Sequence, residues 1–366
     1  MSVGLLNLYV RLGVSEYVAP LLVWPVAVPI NYLMVRYSLT GGAGRRSEGS
    51  DTRKPISMPR GDILYLVIPC YNEEATGAKV VSDFRRCLTE MEIYVYDNNS
   101  TDGTAREALG AGARVVAEPA QGKGNVVRSM FRDIDADAYV MVDGDDTYPA
   151  EALMRVLQPV PDGRADMVIG DRLSNGSYER ENRRNFHSLG NNLVRSAVNR
   201  FFGTSLSDIM TGYRAFSRRF VKNFPALSGG FQLETEMTIF ALSHHMRIVE
   251  VPIDFTERPE GSFSKLSTFR DGAKVLLCIF NMYRHYRPLA FFSWAALLLA
   301  LFAIAVGVPV VIEYVRFHFV YKVPSAVLAS GLFGISVMVF LCGVILDTIS
   351  HNERAAFERQ LKNRNT

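Results

Sequence analysis

Two stretches of this chain carry no charged residue: "PLAFFSWAALLLALFAIAVGVPVVI" at 288–312 and "VPSAVLASGLFGISVMVFLCGVIL" at 323–346. Each exceeds the roughly 20 apolar residues that a helix needs to cross the hydrocarbon of a bilayer. Buried helices of soluble proteins seldom stay uncharged for so long, and only "EYVRFHFVYK" separates the two runs. A transmembrane helical hairpin is expected. The chain's 48% hydrophobic content and mean hydropathy of +0.08 fit a membrane portion joined to a globular one. Lys265, Arg270, Lys274, Arg284 and Arg287 precede the hairpin, and Arg354, Arg359, Lys362 and Arg364 follow it, against Arg316 and Lys322 in the turn. By the positive-inside bias, the globular part and the tail are expected on the cytoplasmic side of a multi-pass protein of the cell membrane.

A third apolar run, "YVAPLLVWPVAVPINYLMV" at 17–35, has marginal length and three prolines. It is read as one further membrane-associated helix, spanning or interfacial, or as a remnant of something larger. Arg36, Arg45, Arg46, Arg53 and Lys54 follow it, again placing the next domain in the cytoplasm. The run starts late and no A-x-A-like site follows, which disfavours a cleaved signal peptide. The Gly-rich "TGGAGRRSEGSDTRKPISMPRG" then reads as a linker. The expected organisation is a membrane-associated segment at 1–40, a linker at 41–60 and a globular domain at 61–264. An interfacial amphipathic helix at 265–287, the hairpin at 288–350 and a basic tail at 351–366 complete it.

Cys70, Cys87, Cys278 and Cys342 lie far apart with no C-x-x-C spacing, so neither a zinc site nor a disulfide framework is indicated and a reducing compartment fits. A net charge of +3 without an arginine-rich aromatic surface motif argues against nucleic acid as a partner.

In the globular part, short apolar runs alternate with polar turns and helical stretches: "ILYLVI" at 63–68, "IYVY" at 93–96, "RVVA" at 114–117, "AYVMV" at 138–142 and "MVIG" at 167–170. That alternation predicts βαβ units and an α/β, mostly parallel sheet covered on both faces. Ligands of such sheets sit at the carboxyl ends of the strands. The polar clusters fall there: "PCYNEE", "DNNSTDGT", "EPAQGKGN" and "DGDDTYP". The last concentrates Asp143, Asp145 and Asp146 behind an apolar strand, where buried negative charge needs a counter-charge. A calcium loop starting at Asp143 would require Gly at Tyr148 and Glu at Met154, and fails. "GKGN" lacks the hydroxyl residue and upstream Gly of a P-loop, and no G-x-G-x-x-G opens the first helix. The histidines, including His187, His244, His245 and His318, show no metal-like spacing.

These motifs together resemble glycosyltransferase family 2, with its Rossmann-like GT-A fold, and most closely its polyprenyl-phosphate branch of dolichol-phosphate mannose synthases and GtrB-type bactoprenol glucosyltransferases. "VIPCYNEE" is similar to the family's opening strand and loop, which implies that Pro69, Tyr71 and Glu73 line the nucleotide-sugar pocket. "YDNNSTDGT" implies a base or ribose contact from Asp97, and the "QGKGN" loop adds Gly122 and Lys123 to the donor site. "DGD" resembles the D-x-D metal motif, with Asp145 the principal Mg2+ or Mn2+ ligand and Asp143 a ligand or nucleotide contact. Asp146 is expected to face a helix start. On the acceptor side the resemblance implies Arg172, Arg184 and Ser188, then Asp208, Thr211, Gly212 and Arg214 in "SDIMTGYRAFSR". A closing loop, "ERPEGSFSK", would bring Arg258, Ser264 and Lys265; Asp145, Arg184, Arg258 and Lys265 are assigned to catalysis.

The chemistry accords with this. A divalent cation bridges hard carboxylates to a diphosphate, and arginine's planar fork suits a lipid phosphate. The resemblance therefore implies metal-dependent, inverting transfer of one sugar from a nucleotide sugar to a polyprenyl phosphate. The alternatives are a family 2 transferase using a hydroxyl acceptor, or an inactive membrane scaffold. No Q-x-x-R-W-like motif of a processive synthase occurs, and both the D-x-D carboxylates and the Arg258 loop are present, which weighs against a dead scaffold. "INYLMVRYSL" resembles the end of GtrA-type membrane proteins, which implies a GtrA-like flippase partner. A homo-oligomer is compatible with all of this.

Overall fold

The computed structural model describes residues 64–174, 176, 185–230, 232–259 and 268–364, without side-chain detail at 185–189, 268–271 and 360–364. The N-terminal segment and the linker lie outside the described residues. The described chain forms two compact units, one of Phe292–Cys342 and one of the rest.

The larger unit is built on a seven-stranded sheet of order β3-β2-β1-β4-β6-β5-β7. The strands are β1 (Leu64–Cys70), β2 (Glu92–Asp97), β3 (Arg114–Ala117), β4 (Ala138–Met141), β5 (Met167–Asp171), β6 (Arg214–Ser217) and β7 (Ile248–Pro252). All run parallel except β6, which pairs antiparallel with both β4 and β5. The five strands expected from the apolar runs are present; β6 and β7 are additions. Arg214 opens one and Glu250 interrupts the other, so neither is a clean hydrophobic run.

Alternation across the pleat divides the core. Val67, Tyr139, Met141, Met167, Ile169 and Phe216 face one layer, and Leu66, Ile68, Val140, Val168 and Ala215 the other. The first layer is covered by α3 (Lys123–Asp133), α5 (Asn185–Phe202), α7 (Leu233–Ser243) and α8 (Thr268–Tyr286). The second is covered by α1 (Gly77–Cys87), α2 (Thr104–Gly110) and α4 (Leu153–Leu157). A short helix, α6 (Arg218–Val221), follows β6. Because β6 is reversed, its first residue, Arg214, lies on the same edge as the carboxyl ends of the other strands.

The helix α8 buries Val275 and Ile279 in this core, stacks Tyr283 on Phe201 of α5, and leaves Leu276, Leu277 and Phe280 exposed. Beyond it, α9 (Pro288–Phe317) and α10 (Val323–Arg364) are both long and apolar enough to cross a membrane. Within the smaller unit they run antiparallel, with Ser336 donating to the Ala296 carbonyl and Gly307 opposite Ala329. The helix α10 continues through the residues read from sequence as a basic tail; Phe357 packs on Phe240 of α7 and on His244 just beyond its end.

Candidate active site

The strand order reverses around β1 and β4, and the crevice beyond their carboxyl ends is where an α/β sheet binds its ligand. The turn Asp143–Asp146 fills that position. Its glycine leaves room for a neighbour: a Cβ on Gly144 would stand 2.6 Å from Cys70 Sγ at the end of β1. The Gly144 carbonyl accepts from Thr76 Oγ1 at 2.6 Å, which ties the turn to the start of α1. The three carboxylates then take separate partners. Asp143 is 2.6 Å from Lys123 Nζ, buried Asp145 meets Arg258, and Asp146, in the left-handed region at φ 58°, meets Lys79 Nζ at 2.7 Å in the first turn of α1. Asp145 also accepts from Thr147 Oγ1 at 2.7 Å. Burial, then the neighbouring charge of Asp143, push its carboxyl above the usual range, against the pull of Arg258.

Lys123 opens α3 behind Gly122, whose φ of 126° few other residues adopt. A Cβ on Gly122 would lie 2.2 Å from the Gly229 carbonyl oxygen, and one on Gly124 only 1.7 Å from that of Ser228. The glycines of "GKG" are therefore there to let another backbone segment approach. Lys123 Nζ reaches Glu234 of α7 at 2.5 Å as well as Asp143. Burial works against its charge, but the two carboxylates more than offset it and hold the ammonium above the usual lysine range. Asn98, after β2, braces the same loop. Its amide donates to the Glu118 and Ala120 carbonyls, and its oxygen accepts from Gly122 N at 2.6 Å. One residue earlier, Asp97 Oδ1 is buried with no hydrogen-bond partner among the described residues. An acceptor so placed is free to meet a donor from outside the protein.

The segment after β7 closes the other side. Thr256 N donates to the Thr147 carbonyl and Thr256 Oγ1 to that of Asp146, so the strap lies along the carboxylate turn and delivers Arg258 to Asp145. Gly212 makes room for Asp143, since a Cβ there would sit 2.3 Å from Asp143 Oδ2. Its N–H donates to Tyr148 Oη at 2.9 Å. Pro69 on β1 and exposed Tyr71 lie at the crevice edge, and buried Glu73 approaches Gly144.

Two arginines assigned from sequence to an acceptor phosphate have other employment. Arg214 is fully buried and donates to the Thr211 and Ile209 carbonyls and to Thr238 Oγ1; burial lowers its pKa to about 10. It braces the turn before β6 and presents no guanidinium to the crevice, a correction to the sequence reading. Arg172 is nearly as enclosed, forked onto Asp208 at 2.7 and 3.1 Å with its guanidinium over the Phe255 ring. The predicted Arg184, Ser264 and Lys265 lie outside the described residues, as does the side chain of Ser188.

Among the described residues no three Asp, Glu, His or Cys side chains converge as a metal cage. Mg2+ and its like use one or two carboxylates with substrate phosphates completing the shell. Asp143 and Asp145, crowded in one turn and balanced by Lys123 and Arg258, fit that requirement. Glu234 and Asn98 were not found from sequence. The signal for Glu234 was present: "LETEMTIFAL" is an apolar helix with two acids, and a buried acid implies a partner.

A family profile described as glycosyl transferase family 2 matches residues 65–224. The chain is similar to the glycosyltransferase AglJ of Haloferax volcanii, 34% identical over 307 residues, covering 82% of this chain and 98% of that one. It is also similar to the dolichyl-phosphate hexose transferase of the same organism, 31% identical over 214 residues, with 58% and 91% covered. Among solved structures, the glucosyl-3-phosphoglycerate synthase of Mycobacterium tuberculosis in complex with Mn2+, UDP-glucose and glycerol 3-phosphate has a TM-score of 0.50. It shares 22% identity, covers 60% of this chain and 80% of that one, and supports the fold.

Proposed function

The chain belongs to glycosyltransferase family 2, in the branch whose members act on polyprenyl phosphates, and from that premise we propose that it transfers one sugar from a nucleoside diphosphate donor to a polyprenyl phosphate at the inner face of the cell membrane. The observation that carries the reading is the pair of carboxylates at the β4 end, each matched to a cationic side chain from a different loop. A donor diphosphate and an acceptor phosphate repel one another, and a site that joins them must supply positive charge on both sides.

On the donor side, Asp97 would offer its oxygen to a hydroxyl or amine of the nucleoside, and Asp143 and Asp145 would hold Mg2+ or Mn2+. When bound, such a cation would supply positive charge against the departing diphosphate. On the acceptor side, Arg258 exchanges Asp145 for the lipid phosphate, with Arg184, Ser188, Ser264 and Lys265 as proposed neighbours. The phosphate oxygen attacks the anomeric carbon as the bond to the diphosphate breaks on the opposite face, inverting that carbon. No general base is required, because a phosphomonoester with a second pKa of roughly 6 is already anionic at neutral pH. The helix α8 supports the membrane assignment, since its exposed Leu276, Leu277 and Phe280 suit a lipid interface.

The test is label transfer by purified protein from a panel of radioactive nucleotide sugars to undecaprenyl or dolichyl phosphate, with and without a chelator. Prenyl-phosphate-linked label that disappears with chelation is expected. Asp145→Asn should lower it by roughly 100-fold or more, the scale of losing one electrostatic group at a reacting centre. Transfer that survives both would overturn the metal assignment.

A further inference from the structure

Glu234 stands in the first turn of α7, buried, with its Oε1 2.5 Å from Lys123 Nζ. Lys123 is also 2.6 Å from Asp143. One ammonium is therefore shared between two carboxylates that come from different elements, and only one of them belongs to the carboxylate turn. The arrangement is built. Glu236, two residues on, accepts from the N–H groups of Leu227 and Ser228 at 2.9 and 2.8 Å and seats that segment. The seated segment packs on Gly122 and Gly124, which sets the distance from α7 to the start of α3.

The consequence is electrostatic. An ammonium wholly committed to Asp143 would oppose any cation that Asp143 took up, and in a poorly hydrated crevice such competition is strong. A second carboxylate at equal range divides the ammonium's charge. We propose that Glu234 is a positioning residue that shares the Lys123 ammonium with Asp143, leaving Asp143 able to accept a divalent cation while the ammonium stays at hand for the donor diphosphate. This rests on the reading of Asp143 as a cation ligand.

The test is Mn2+ binding, followed by the paramagnetic resonance of free Mn2+, to the purified full chain without donor. Glu234→Gln should weaken Mn2+ binding about tenfold, the scale of coupling between groups in one charge network, whereas Lys123→Met should not weaken it. With Lys123→Met already in place, adding Glu234→Gln should change the affinity less than about threefold. A residue that merely supported the fold would lower affinity in both backgrounds. Glu234→Asp keeps the charge with a shorter reach; it should give a smaller loss of the same sign, and it replaces Glu234→Gln if that variant does not fold. Unchanged Mn2+ affinity in Glu234→Gln, or an equal loss with and without Lys123, overturns the role of Glu234 alone. A wild-type chain that binds no Mn2+ either alone or with a nucleoside diphosphate overturns the cation reading and this one with it; where binding needs the nucleoside diphosphate, the variants are compared in its presence.

Discussion

Asn98 uses both halves of its amide, donating to two carbonyls of the β3–α3 loop and accepting from Gly122 N. Aspartate has the same shape but only accepts when ionised. Asn98→Asp would thus face two carbonyls with a carboxylate, and should destabilise the larger unit by about 1–3 kcal/mol in chemical unfolding. No loss of stability would show that these hydrogen bonds contribute nothing. Side-chain chemistry of this kind separates what could be read early from what could not. Asp143 and Asp145 were legible because charge behind an apolar strand demands explanation wherever the chain goes. Arg214 was misleading for the complementary reason. A basic residue inside a motif has the same letter whether it faces ligand or is buried on backbone carbonyls.

Among elements, the loops at the strand ends are shaped by how closely backbones approach. Gly124 meets the Ser228 carbonyl so tightly that Gly124→Ala cannot be accommodated by a side-chain movement. We expect it to cost about 1–3 kcal/mol in thermal unfolding and to weaken nucleoside diphosphate binding by displacing Lys123. Wild-type behaviour in both would contradict the packing described. Five strands announced themselves as apolar runs, since parallel strands covered on both faces have little room for polar side chains. The reversed β6 did not: four residues beginning with a buried arginine have neither the length nor the pattern of a strand. Its place between β4 and β5 is decided by pairing with both.

At the scale of the whole molecule, α10 does more than leave the apolar hairpin, because its far end returns to the larger unit. Phe357 and the His244 ring meet at 4.5 Å, and Phe240 lies beneath that imidazole at 4.2 Å. Burial holds the His244 pKa below the ordinary imidazole value. The unfolded chain therefore takes up a proton at a pH where the folded one does not. The stability from this group is present above about pH 6.5 and is lost as pH falls toward the lower folded value. The melting temperature should drop between about pH 7.5 and pH 5.5, and by less in His244→Phe. An identical drop in that variant would assign the pH dependence to other groups.

The sequence by itself determined the pieces whose physics is local: two uncharged runs long and apolar enough to cross a bilayer, an alternation of strand and helix, and a turn of carboxylates in need of cations. Tertiary structure alone decided which cation each carboxylate received. Lys123, Glu234 and Arg258 belong to other elements, distant along the chain from Asp143 and Asp145, and ion pairing depends on distance in space. The same dependence buried Arg172 and Arg214, because whether a charge meets solvent, ligand or a carbonyl is settled only when the segments around it close.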